Sequence, residues 1–189
     1  MIREFFWRIV ASIVTRPRVT TWLIAHAQRT PYYPITKRSG TEVYMDRWWV
    51  FNPYGKDANG DPTPARWPLL PSIRIHHIKL PDDDAHFHDH PWNARTIILR
   101  GGYIEERPGD DPVRPRHYPV IGPDGATGHA ILRGEGDTDR LLFDQFHRIR
   151  AIPSDGAWTL FITWRKRGTW GFLVDGNKVP WREYLGEDA

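Results

Sequence analysis

The 189-residue chain contains no cysteine, so a disulfide framework, a thiolate nucleophile, an iron–sulfur cluster and every thiolate zinc site are excluded. Any metal must be held by His, Asp or Glu. Neither sign of charge is in excess: 26 Lys and Arg against 23 Asp and Glu leave +3, which gives no reason to expect nucleic acid as a partner. Long apolar runs are also missing. Arg3 and Arg8 interrupt the N-terminal stretch 1–15, and Arg16 and Arg18 follow it, well short of the roughly 20 apolar residues that a spanning helix needs. No small-residue cleavage site follows, so the stretch does not read as a signal peptide. A soluble, cytoplasmic chain with no stable membrane insertion is expected.

What is present is apolar and aromatic. Hydrophobic residues make up 40% of the chain, and its 10 Trp and 8 Phe suffice to bury one core without covalent staples. Ile2, Phe5, Phe6, Ile9, Ile13 and Val14 recur at the spacing of one helix face, which predicts an amphipathic helix ending near Pro17. A second helix, from Val19 to about Gln28, would place Trp22, Leu23 and His26 on one side. Residues 1–30 therefore read as a helical extension of a single β-barrel domain formed by residues 31–189. The apolar face of the first helix needs a cover, either the β domain or a second copy of the chain, which makes a homodimer one candidate assembly.

Beyond residue 31, Pro, Gly and Asp punctuate short runs of β-branched and aromatic residues. Strands are expected at 42–51, 72–80, 86–90, 94–105, 117–121, 129–132, 140–147, 157–164 and 169–174. Nine short strands indicate a mainly β sandwich or barrel. Segments 52–71 and 107–115, rich in Pro, read as long surface loops. Trp92, Trp158 and Trp164 read as core residues, and Glu105 and Glu106 as solvated charges at a strand end, with the alternative that one of them faces the site.

Five of the nine histidines, His76, His77, His86, His88 and His90, fall within fifteen residues, where an even spread would put fewer than one. In a strand His86, His88 and His90 share a face, so two or three imidazoles can converge on one ion. A further ligand must come from another strand. His76, His77, His117 and His129 read as ordinary hydrogen-bonded polar residues. Asp89, alternating with His88 and His90, points away from such an ion. His86 is either a fourth ligand or an acid or base beside it, and Tyr103 offers a phenol at similar depth.

The register around this pair resembles the first motif of the cupins: His88-Asp89-His90, four residues, then Arg95 where that motif has a glutamate, then six residues to Gly102. The resemblance covers about residues 70–175 and implies a cupin double-stranded β-helix, or jelly roll, with an N-terminal helical extension. It also implies that His147, in the second motif, supplies the third ligand. A three-histidine set without the glutamate is similar to the cysteine dioxygenase group, in which those positions hold ferrous iron. Over nearly the whole chain the sequence further resembles uncharacterised cupin-like proteins of phages and bacteria. They share His88-Asp89-His90-Pro91-Trp92, the segment 101–106, Trp170-Gly171-Phe172 and the segment 179–184. That likeness places the chain in a bacterial or phage-infected cytoplasm.

Three neutral imidazoles around a divalent cation leave a site of charge +2 with open positions, suited to an anionic ligand or dioxygen. Arg95 either adds positive charge there or pairs with Asp89 or Glu105. The expected function is that of a metal-binding cupin, an iron(II)-dependent oxygenase acting on a small anionic substrate, with Zn, Ni or Mn as other candidate ions. The alternatives are a non-redox sugar-nucleotide epimerase or isomerase, and a phage-associated binding protein. The residues expected to act are His86, Arg95 and Tyr103 in catalysis, with His88, His90 and His147 on the metal.

Overall fold

The computed structural model describes residues 2–58, 63–109, 117–121 and 127–186. Two helices, α1 (Ile2–Val14) and α2 (Pro17–Ala27), precede twelve strands. These are β1 (Pro31–Thr36), β2 (Val43–Phe51), β3 (Ser72–Ile78), β4 (Phe87–His88), β5 (Trp92–Pro108), β6 (His117–Ile121), β7 (Thr127–Gly134), β8 (Thr138–Leu141), β9 (Arg148–Ala151), β10 (Ala157–Lys166), β11 (Gly171–Val174) and β12 (Asn177–Pro180). A short helix, α3 (Trp181–Leu185), closes the described chain. All strand pairs are antiparallel. The larger sheet runs β1-β2-β3-β10-β5-β7-β6, with β8 and β9 also on β5, and the smaller runs β12-β11-β4. The expected mainly β class with a helical N-terminal extension is the one the chain adopts.

Alternation along the central strands sorts side chains onto two faces. Ile75, Ile97, Leu99, Leu160 and Ile162 point outward and are covered by Ala11, Ile24 and Ala27 of the two helices. Arg74, His76, Thr96, Ile98 and Phe161 occupy the alternate positions, which face the interior. One irregularity changes the count: β5 slips by one residue against β10 between Ile98 and Arg100. Gly101 follows at φ +74, where an added Cβ would lie 2.4 Å from the Gly156 carbonyl oxygen. That bulge reverses the parity of β5, so Tyr103 and Glu105 face the interior although Arg95 faces out.

Several sequence expectations are corrected. The first helix buries Trp7, Val10, Ala11 and Val14 against the sheet rather than the stripe Phe5, Phe6, Ile9 and Ile13, which stays 66%, 55%, 44% and 46% exposed. Small Ala11 and flat Trp7 allow closer approach than the bulkier stripe does. The strand expected at 140–147 is two pieces, because Asp144 adopts a positive φ of 62 and Gln145 N–H bonds back to the Leu142 carbonyl. Strand β1, absent from the expected strands, carries Pro31 and Pro34, which are tolerated because β1 pairs with β2 at the sheet edge.

Candidate metal centre

Backbone pairing brings the first two elements of the site together. His88 on β4 and His147, just ahead of β9, exchange two N–H to O=C bonds of 2.9 Å, so their side chains leave one bridge together. His90 lies two residues beyond His88. The strand expected over 86–90 is confined to Phe87 and His88, since Pro91 has no N–H to donate and Asp89 is turned toward the small sheet. There the fully buried Asp89 carboxylate accepts from Gly171 N–H at 2.7 Å and from Lys178 Nζ at 2.5 Å. Asp89 thus points away from the histidines, as its alternation requires.

The three imidazoles form a near-regular triangle, with ring centroids 5.3 Å (His88 to His90), 4.9 Å (His88 to His147) and 5.2 Å (His90 to His147) apart. One nitrogen from each lies within 4.8 Å of the others, a group that could hold a metal ion. His90 Nε2 and His147 Nε2 face each other at 3.0 Å. His147 Nδ1 donates to Glu105 Oε1 at 3.1 Å, which in the neutral ring leaves Nε2 a bare acceptor turned inward. His88 Nδ1 lies 3.8 Å from Asp82 Oδ2. Burial pushes His88 down to about 4, with His147 acting the same way against the opposing pull of Asp82 and Glu105. Burial, then His147 and His88, hold His90 well below the usual imidazole range. Three inward-facing ring nitrogens, with carboxylates beside the His88 and His147 rings, are a donor set suited to a divalent cation, so the residues fit such an ion.

Glu105 is the main support of this arrangement. It accepts from Arg133 Nη2 at 2.6 Å, from Arg107 Nη2 at 2.9 Å and from His147, and it is 4% exposed. Burial alone would raise its pKa, but Arg133, the His147 hydrogen bond and Arg107 outweigh that and hold the carboxyl well below the usual range. The expectation of a solvated strand-end charge was therefore wrong for Glu105. It was wrong also for Glu106, 5% exposed and bonded to Arg148 Nε at 2.6 Å. The pointer to Glu105 was Gly101-Gly102 inside a strand, the composition of a bulge that flips the face.

The residues expected to act catalytically are dispersed. Arg95 does not face the three histidines. It lies on the outer side of β5, 4% exposed, where its Nη2 meets Glu4 of α1 at 2.8 and 3.0 Å and its guanidinium stands 5.0 Å over the Trp7 ring. The four-residue gap between His90 and Arg95 matches the motif, but the side of the strand does not. His86 turns to α3, where Nδ1 bonds the Tyr184 hydroxyl at 2.9 Å, and it is not part of the three-nitrogen group. Tyr103 is at the site: with Thr96, Glu105, Arg133, Asp139 and His147 it lines a cavity of about 20 Å³, room for one water molecule. Burial, then Glu105, raise its phenol pKa far above the ordinary value. His76, read as an ordinary polar residue, is buried against Phe161 at 4.8 Å.

No protein-family model matches the chain, and no curated protein matches it. Solved structures similar to it include the DMSP lyase DddQ from Ruegeria pomeroyi DSS-3, at 13% identity over 88% of this chain and 68% of that one, TM-score 0.49. A Lactobacillus farciminis oxalate decarboxylase in a formate complex follows at 11% identity, 83% and 36% coverage and TM-score 0.45. A cupin 2 conserved barrel domain protein from Rhodopseudomonas palustris gives 15% identity, 77% of each chain and TM-score 0.42. The chain thus spans about a third of the oxalate decarboxylase. Among the described residues no helix is long and apolar enough to cross a membrane.

Proposed function

We propose that this chain is a metal-dependent cupin-type enzyme, an iron(II) oxygenase acting on a small acidic molecule. The observation that carries the proposal is the three-histidine group, whose ring nitrogens converge within 4.8 Å while Glu105 fixes the His147 tautomer. Iron(II) held by His88, His90 and His147 would supply positive charge and open positions for an anionic group and dioxygen. The chain's own residues do the rest. Glu105 accepts from His147 Nδ1, so that Nε2 is the nitrogen turned toward the ion, and Asp82 stands beside the His88 ring. Ile98 and Phe161 bury the surroundings and exclude water. Tyr103, kept protonated by its burial, is the proton donor available at the cavity beside His147.

The test is elemental analysis of anaerobically purified protein, followed by oxygen uptake in the presence of small organic acids. One iron per chain and acid-dependent oxygen consumption support the proposal, and both should fall in His88→Ala, His90→Ala and His147→Ala. A His147→Ala protein that keeps full metal occupancy would sink the three-histidine assignment. A full complement of metal with no oxygen uptake on any acid would leave the metal site standing and remove the oxygenase.

A further inference from the structure

The interior beside His90 contains a guanidinium with no counter-charge. Arg74, inward on β3 and 2% exposed, makes no hydrogen bond and no ion pair with any described residue. Its Cζ is instead ringed by Trp49 at 5.2 Å, Phe161 at 5.4 Å, Tyr54 and Trp92 at 5.5 Å and Tyr32 at 5.9 Å. Aromatic faces attract a cation but do not accept hydrogen bonds as an oxyanion does, and an unpaired buried charge is costly.

The same neighbourhood holds every other orphan of this kind. Among the described residues, four buried side-chain polar atoms have no partner: Arg74 Nε, Tyr54 Oη, His76 Nε2 and Trp92 Nε1. Tyr54 and Trp92 both border the Arg74 guanidinium, and His76 and Arg74 both touch the Phe161 ring. Arg Nε and Trp Nε1 are donors with no acceptor capacity, so whatever satisfies them must accept. A second cation, Arg47, is close enough to Arg74 that burial, then Arg74, lower it to about 10. Net positive charge and unsatisfied donors walled by aromatic rings are the chemistry that an anion would satisfy.

We propose that Arg74, Tyr54, His76 and Trp92 form a subsite for the carboxylate of a small organic acid. Trp92 and Phe161, which border the guanidinium, also stand 6.2 and 6.1 Å from the His90 ring, so a short molecule held there reaches the three-histidine group with its other end. This role was expected of Arg95, and the geometry moves it to Arg74. The inference deepens the proposed function by naming the substrate's anchoring group, and only the placement of the far end rests on that reading.

The test uses the full chain, metal-free and iron-loaded under anaerobic conditions, titrated calorimetrically with acetate and with inorganic phosphate. Acetate should bind the metal-free protein and raise its melting temperature. Arg74→Met should weaken acetate by about tenfold or more, the loss expected for a charge-assisted hydrogen-bonded pair, while leaving metal stoichiometry unchanged. Trp92→Phe, which keeps the ring and removes Nε1, should weaken it less. If Arg74→Met does not fold, Trp92→Phe and Arg74→Lys carry the comparison. Equal acetate affinity in wild type and variants overturns the subsite, and tighter phosphate than acetate binding, lost on Arg74 substitution, overturns the carboxylate assignment. Loss of acetate binding in Arg74→Met with no metal in wild type sinks the metal reading and keeps the subsite.

Discussion

Nδ1 of His147 lies 3.1 Å from Oε1 of Glu105, a carboxylate forty-two residues earlier that no metal-ligand motif marks. This contact decides which nitrogen of His147 is offered to an ion. It also ties the candidate centre to Arg107 and Arg133 through the same carboxylate.

Replacing that carboxylate should loosen the metal without removing a ligand. Glu105→Gln is expected to lower metal affinity by about 10- to 100-fold, the usual effect of losing the partner that orients a ligating imidazole. Competition with a chelator of known affinity measures it. Unchanged affinity would mean that His147 is oriented by its backbone bridge alone.

A different outcome is expected at Arg95. Glu4→Gln removes the carboxylate bonded to this buried guanidinium, the only one among the described residues, and should destabilise the fold by about 1–3 kcal/mol in chemical denaturation. Metal content and acetate affinity should not change, because Arg95 faces α1. A drop in anion affinity would place Arg95 back at the site.

The bulge in β5 is equally open to test. Gly101→Ala combines a positive φ with a Cβ 2.4 Å from the Gly156 carbonyl oxygen, so a loss of more than about 1 kcal/mol is expected. The melting temperature reports it. A neutral substitution would show that the Gly101 and Gly156 backbones separate without cost.

Acid should destabilise the metal-free protein in two stages. His76 is held well below its usual 6.5 by burial, then by Arg74 and Arg47. The unfolded chain therefore takes up a proton below pH 6.5 that the folded chain refuses. Stability is level above that value and falls below it, by about 1.4 kcal/mol per pH unit for each such histidine. His88, pushed down to about 4, adds to the same limb. Glu105 has the opposite charge and a depressed pKa, so its contribution is full above 4.5 and lost as pH falls below it. Denaturant midpoints between pH 8 and 2 should show both stages, and His76→Leu should make the first less steep. An equally steep first stage in that variant would remove His76 from the account.

Local pattern made much of this legible. The 3.6 period of residues 2–14 and the run of β-branched and aromatic residues at 157–164 foretold elements that formed, and the clustering of His88 and His90 foretold their convergence. The errors share one cause, the side on which a correctly placed residue faces. Phe5, Phe6, Ile9 and Ile13 mark a real apolar stripe, but the sheet accepts the neighbouring stripe carrying Ala11. Arg95 and Glu105 lie an even number of residues apart, yet the slip between Ile98 and Arg100 sends them to opposite faces. Arg74 could not be singled out because an unpaired guanidinium is defined by what does not surround it, which only the packed interior reveals.

Strand β5 runs for seventeen residues and pairs with β10, β7, β8 and β9, whereas β4 meets β11 at only two residue pairs. Amide protons along β5 should consequently exchange with solvent only when the whole domain opens, while those of β4 and β11 exchange through local opening. His88 rides on the weaker of these two cooperative units and Glu105 on the stronger. An ion shared by His88 and His147 would couple their opening, so that metal loading slows exchange in the small sheet far more than in the large one.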